Sequence, residues 1–275
     1  MSLMVKNINK FPDIRIILGP PRSGTTALQN ALCEAKNSLG LYEPIRAERL
    51  MDNCTLATFK YRAFLDYDNP DLLDVMQRNK GKLFILKDGL GKTLSKWAKK
   101  IFLEHDDIVE RGKPLFIFRN PVYTFNSFKK LNWHQTADDF VKENKMVIDV
   151  FNKLKDKHPD DVEVTTEEKL SSNPKKVLKN ICNFWGIDYT DNMVNWKKDI
   201  NDKIYFFVKH EEKFVRPKED VSKIEDLHYR LFDKNCGTFV NTAPKIDELI
   251  ISKDDITTIN DALSEDYKHI NEIQL

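Results

Sequence analysis

Residues 14–28, IRIILGPPRSGTTAL, constrain the fold most, because an aliphatic run passes through a glycine-bounded loop into a segment suited to a helix. Residues 14–18 are mostly aliphatic, as in a parallel strand covered on both faces. Pro20 and Pro21 end that strand, and Gly24 supplies backbone freedom where the chain turns close to a ligand. Thr25 or Thr26 is expected to cap a helix beginning at Ala27. The first-turn N–H groups then face an anion, helped by a helix dipole worth about 0.3–1 kcal/mol to an exposed charge. Arg22 adds a permanent positive charge beside them.

Gly19, Gly24 and Thr26 keep the spacing of a Walker-type phosphate loop, but Thr25 stands where that loop carries its lysine. A nucleotide with a γ-phosphate and Mg²⁺ needs that lysine, and a carboxylate on a neighbouring strand end to hold the metal. The candidate strand at 114–119, PLFIFR, ends instead in Arg119, which repels a metal and attracts a second phosphate. Ser127 follows eight residues later. Pro121 suits the first position of a helix, which carries Ser127 to the side of a group held by Arg119. Two anion sites at adjacent strand ends suggest a doubly phosphorylated nucleotide and no metal.

The segments PPRSGTTAL and FRNPVYTFNSF together resemble the 5′-phosphosulfate loop and the 3′-phosphate motif of sulfotransferases that use 3′-phosphoadenosine 5′-phosphosulfate (PAPS). On that resemblance Arg22, Ser23, Gly24, Thr25 and Thr26 bind the 5′ end of the donor. Arg119 and Ser127 bind its 3′-phosphate, and the product is 3′,5′-adenosine bisphosphate. Residues 162–189 are similar to a further family segment, with Glu168, Leu170, Asn173, Pro174 and Gly186 matching and Glu167 where the family has a tyrosine. The family's basic Arg-Lys-Gly loop has no evident counterpart, and Lys209, Lys213, Arg216 or Lys218 are candidates to substitute for it.

Sulfuryl transfer needs in-line positioning and stabilisation of the charge on a departing phosphate, by analogy with phosphoryl transfer. Arg22 is expected to be the electrostatic partner of that phosphate. An acceptor alcohol, phenol or amine must also lose a proton to a base within hydrogen-bond reach. The histidine of the cytosolic family members' Lys-x-His motif is absent, since Lys87 is followed two residues on by Gly89. Carbohydrate-type members use a glutamate about twenty residues beyond the first motif, and Glu43 in LYEP occupies that distance. Glu43 is therefore the expected base, with Asp88 and His134 as alternatives. Lys87, at a strand end, is a candidate to touch a sulfonate oxygen, and Trp133 with His134 to line an acceptor pocket.

Strands near 14–19, 83–87, 114–119 and 162–166 alternate with helices near 26–36, 92–104, 121–131, 136–157 and 174–185, with helical patches across 46–78. This order implies a three-layer α/β/α fold with a mainly parallel sheet and the ligand at the strands' carboxyl ends. The 275 residues are expected to form one domain, with a core over 13–187. An irregular cap should follow over 188–275, closed by a terminal helix near 254–270. Lys and Arg number 44 against 43 acidic residues, so overall charge gives no reason to invoke nucleic acid. Cys33, Cys54, Cys182 and Cys236 are widely spaced, which suits reduced, buried thiols better than disulfides or zinc. No apolar run approaches the roughly 18 residues of a membrane span, and the start lacks a signal-peptide core, so a cytoplasmic location is expected.

The leading expectation is a PAPS-dependent sulfotransferase acting on a small-molecule or carbohydrate hydroxyl, or an amine. A P-loop kinase using Mg-ATP through Lys87 or Lys92, or a non-catalytic nucleotide-binding protein of the same fold, are the alternatives. The sequence leaves the acceptor and the oligomeric state open.

Overall fold

The computed structural model describes residues 13–43, 75, 78–91, 101–133, 135–196, 203–208, 213–215, 237–239, 244 and 248–275. Among them the strands are β1 (Ile14–Gly19), β2 (Ser38–Tyr42), β3 (Leu83–Gly89), β4 (Leu115–Phe118), β5 (Glu163–Thr166), β6 (Ile204–Val208) and β7 (Lys213–Val215). The helices are α1 (Thr25–Leu32), α2 (Asp106–Gly112), α3 (Pro121–Lys130), α4 (Ala137–Lys157), α5 (Glu167–Ser172), α6 (Pro174–Trp185) and α7 (Lys253–Ile273). One sheet runs in the order β5-β4-β1-β3-β2-β6-β7. Strands β1 to β6 are parallel and β7 is antiparallel to β6. From β1 the chain goes to β2 and β3 on one side and later to β4 on the other. The crevice beyond the carboxyl end of β1 is therefore a topological switch point, where open α/β sheets bind ligands.

The two-residue period of the strands divides the core into two layers. Ile14, Ile16 and Leu18 of β1, Phe84 and Leu86 of β3, and Phe116 and Phe118 of β4 pack on one face with residues of α3, α4 and α7. Ile17, Ile85, Leu115 and Ile117 pack on the other with α1 and α6. The result is the expected α/β/α sandwich. Val147, Val150, Phe151 and Leu154 of α4 are fully buried, each contributing about 1.5–3 kcal/mol of transfer free energy. Arg15 is the one charged residue of β1, and its guanidinium donates to the carbonyl of Trp185 at 2.8 and 3.2 Å. It thereby satisfies the end of α6 instead of interrupting the core.

Caps explain the helix boundaries that matter for the site. Asn120 precedes Pro121 and accepts from the N–H groups of Val122 and Tyr123, fixing the start of α3. Asn173 and Pro174 do the same for α6, which ends at Gly186 with φ 66°. Three expectations are corrected. Helix α1 begins at Thr25, with Gly24 as its N-cap and no side-chain cap, so neither threonine hydroxyl caps it. Strand β2 lies where no strand was expected. Strands β6 and β7 extend the sheet beyond residue 187, so residues 188–275 are more than a cap. Of the expected helix at 92–104, residues 101–104 are described and helical, and most of 46–78 lies outside the described residues.

Candidate functional site

The loop after β1 is shaped by close packing and by two left-handed residues. A Cβ on Gly19 would meet the Ile117 carbonyl oxygen at 2.2 Å, so β1 and β4 approach each other here only through glycine. Arg22 has φ 69° and Gly24 φ 94°. A non-glycine residue held there stores backbone strain, a recurrent feature of functional loops. The Ser23 hydroxyl donates to the Pro20 carbonyl at 2.7 Å and the residue is fully buried. Ser23 therefore builds the loop, and it is not among the residues that line the cavity. Because Gly24 brings no side chain, the amides opening α1 are left to whatever the loop encloses.

At the end of the neighbouring strand β4, the second motif meets the first. Arg22 Nε donates to Ser127 Oγ at 3.1 Å, spanning from the β1 loop to α3. Burial, and after it the charge of Arg119, push the Arg22 guanidinium below its ordinary value. Both arginines line the same cavity. Two half-buried like charges repel each other, and an anion held between them relieves that cost. Glu167, which stands where the family has a tyrosine, lies 3.6 Å from Arg119 Nε and accepts from the Ser171 hydroxyl at 3.0 Å.

The ends of β2 and β3 supply the remaining charges. Lys87 and Glu43 form a 2.7 Å ion pair with side chains only 4% and 12% exposed. Lys87 Nζ also sits 4.2 Å from the ring centroid of Tyr42. Burial alone would push the Lys87 ammonium down, but Glu43, followed by Tyr42 and Asp88, outweighs it and the net shift is upward. Burial raises the Tyr42 hydroxyl, which is hydrogen-bonded by Thr26 and Lys87. Glu43 itself has φ 49°. From behind, Gln29 of α1 donates to the carbonyls of Leu41 and Ile85 at 3.0 and 2.8 Å, fixing β2 and β3 relative to the loop helix.

These elements enclose a cavity of about 380 Å³. Arg22, Gly24, Thr25, Thr26, Glu43, Lys87, Arg119 and Ser127 all lie on its wall. Trp133, the expected acceptor-side aromatic, lines it as well, packed 4.7 Å from the Phe128 ring. Asp88 is buried and is not among the lining residues, while His134, Lys92, Lys209, Arg216 and Lys218 lie outside the described residues. The structure adds lining residues that the sequence did not single out, chiefly Tyr42, Asn126, Trp196 and Phe239. Trp196 is 3% exposed, packs edge-on against Phe239 at 4.8 Å, and its Nε1 has no hydrogen-bond partner among the described residues. A buried donor of this kind is normally satisfied. Adjacency to Glu43 was the only sequence signal for Tyr42, and Trp196 had none.

No family model matches the chain. No curated protein sequence matches it. Among solved structures, the chain is similar to the sulfotransferase domain from the Synechococcus PCC 7002 olefin synthase, at 19% identity and TM-score 0.48, covering 92% of this chain and 96% of that one. It is similar to the sulfotransferase domain from the curacin biosynthetic pathway, at 16% identity and TM-score 0.46, covering 92% and 98%. It is also similar to mouse sulfotransferase SULT7A1 complexed with PAP, at 12% identity and TM-score 0.46, covering 98% and 92%.

Proposed function

We propose that this chain is a sulfotransferase that moves a sulfuryl group from PAPS to a hydroxyl or amine acceptor. The observation that carries the reading is the pairing of Arg22 and Arg119, which stand at the carboxyl ends of adjacent parallel strands and share one cavity, with Ser127 hydrogen-bonded to the first. One anion needs one such cationic group; two of them on the wall of one cavity, from the β1 loop and from the end of β4, fit a molecule that carries more than one phosphate. The glycine-opened start of α1 supplies a cradle for one end, and Trp196 Nε1, without a hydrogen-bond partner among the described residues, a donor beside an aromatic wall for the base.

The bound donor supplies a sulfuryl group activated by its phosphate leaving group. Arg22 stabilises negative charge growing on that phosphate but cannot give it a proton, because guanidinium stays protonated. Arg119 and Ser127 hold the second phosphate, so the Arg22–Ser127 hydrogen bond yields to phosphate oxygens when the site fills. Glu43 takes the acceptor's proton, and Lys87 holds that carboxylate in place through the buried ion pair. The acceptor, a small molecule or carbohydrate, occupies the side of the cavity bounded by Glu43 and Trp133. Lys87 is engaged with Glu43 and Tyr42, which favours this reading over one in which that lysine serves Mg-ATP.

Incubation of the protein with PAPS and a panel of alcohols, sugars and amines, followed by mass spectrometry, tests the proposal. Acceptor-dependent release of 3′,5′-adenosine bisphosphate with a sulfated product supports it. Phosphoryl transfer from Mg-ATP in the same panel, with PAPS untouched, overturns it.

A further inference from the structure

The junction that carries Arg119 is gripped from behind by the first turn of α5 and, through it, by the terminal helix α7. The backbone N–H of Asn120 donates to Glu168 Oε1 at 2.8 Å. The other carboxylate oxygen, Oε2, accepts from the Tyr267 hydroxyl of α7. Asn120 is already committed on its side-chain side, where it caps α3, the helix that presents Ser127. The adjacent Glu167 lies 3.6 Å from Arg119. Thr166 caps α5 and donates to Gln274 just beyond α7, so the same turn is tied to that helix a second time.

From this chain of contacts we infer that Glu168 is a positioning residue for the second-phosphate site, and that Tyr267 of α7 sets its geometry from outside the cavity. Neither residue lines the cavity, so neither touches a nucleotide held there. Glu168 fixes the Asn120 N–H, the junction between the end of β4 that carries Arg119 and the helix α3 that presents Ser127. Without its carboxylate the Asn120 N–H loses its partner, and the end of β4 can rotate relative to α3. The Arg119 guanidinium and the Ser127 hydroxyl then no longer converge on one phosphate. The first-phosphate loop between β1 and α1 makes none of these contacts; its tie to α3 is the Arg22–Ser127 hydrogen bond, which yields to phosphate oxygens when the site fills. This inference rests on the reading of the cavity as a site for a doubly phosphorylated nucleotide.

The test compares 3′,5′-adenosine bisphosphate with adenosine 5′-monophosphate by calorimetry on wild type, Glu168→Ala, Glu168→Gln and Tyr267→Phe. Wild type should prefer the bisphosphate, and Glu168→Ala should reduce that preference about tenfold while leaving monophosphate affinity unchanged, as loss of a charge-assisted hydrogen bond implies. Tyr267→Phe, which removes one hydroxyl and keeps the packing, should reduce the preference about threefold in the same selective way. Glu168→Gln, which can still accept from Asn120, should restore most of it. Equal weakening of both ligands, or an unchanged preference in both Glu168→Ala and Tyr267→Phe, overturns the positioning role. A wild-type protein with no preference for the bisphosphate overturns the donor reading itself, and the inference with it.

Discussion

Arg22 Nε reaches Ser127 Oγ at 3.1 Å although the two residues lie 105 positions apart in the chain. That hydrogen bond joins the loop after β1 to the helix after β4, and it makes the two halves of the anion site one unit. Replacing Ser127 by Ala should weaken 3′,5′-adenosine bisphosphate binding by about 10-fold, the scale of one hydrogen bond to a charged group. Calorimetry measures the loss, and adenosine 5′-monophosphate should be nearly insensitive to the same substitution.

The Glu43–Lys87 pair separates chemistry from binding. Glu43→Gln should leave bisphosphate affinity within about twofold while turnover falls about 10²–10⁴-fold, the usual range for loss of a general base. Steady-state kinetics on the best acceptor measures turnover, and unchanged turnover would move the proton-accepting role to another group. Lys87→Met should cost stability, on the order of 3 kcal/mol, because it leaves a carboxylate 12% exposed without its ion-pair partner. Denaturant titration reads that change without reference to activity.

The same cluster predicts alkaline lability. Lys87 is held above its ordinary value of 10.5, so its contribution to stability is complete below that pH and is lost as pH rises through the folded-state value. Tyr42 is held above its ordinary value of 10.0 by burial, so the unfolded chain ionises there first and stability again falls above it. Tyr42→Phe should therefore lose less stability than wild type between about pH 9 and about pH 11, read from urea midpoints.

Gly24 should be intolerant of any side chain. Its φ of 94° strains an L residue, and a Cβ there would meet Glu167 Cγ at 3.3 Å and Ile117 Cδ1 at 3.4 Å. Gly24→Ala should lower stability by about 1–2 kcal/mol and reduce bisphosphate affinity, because the α1 amides turn away from the ligand. Thermal unfolding and calorimetry on one sample measure both effects.

Much of this arrangement was legible because the responsible interactions are local. Pro174–Trp185 and Ala137–Lys157 carry their own caps and apolar spacing, and β1 and β4 are aliphatic runs with abrupt ends. Strand β2 was not legible: SLGLY contains small residues where bulk would clash, a Cβ on Gly40 falling 3.0 Å from both Cys33 Sγ and Ile204 Cγ1. Neither were β6 and β7, whose aromatics read as irregular until a partner strand, β2, was known. Arg22, Glu43, Lys87, Arg119 and Ser127 could be named from spacing and resemblance, yet nothing in the chain's order implied that Lys87 binds Glu43 or that Tyr267 reaches Glu168. Those contacts depend on tertiary packing between distant segments. The capping role given to Thr25 or Thr26 failed for a simple reason: the helix starts one residue after Gly24, which caps it without a side chain.

Calorimetric titration of the wild-type protein and Arg119→Ala with 3′,5′-adenosine bisphosphate, in metal-free buffer, bears most directly on the two-phosphate reading, with ADP and Mg-ATP as comparators. Tight bisphosphate binding by wild type, lost in Arg119→Ala and exceeding that of either comparator, is the predicted result. Preference for Mg-ATP, or bisphosphate binding indifferent to Arg119, would contradict it.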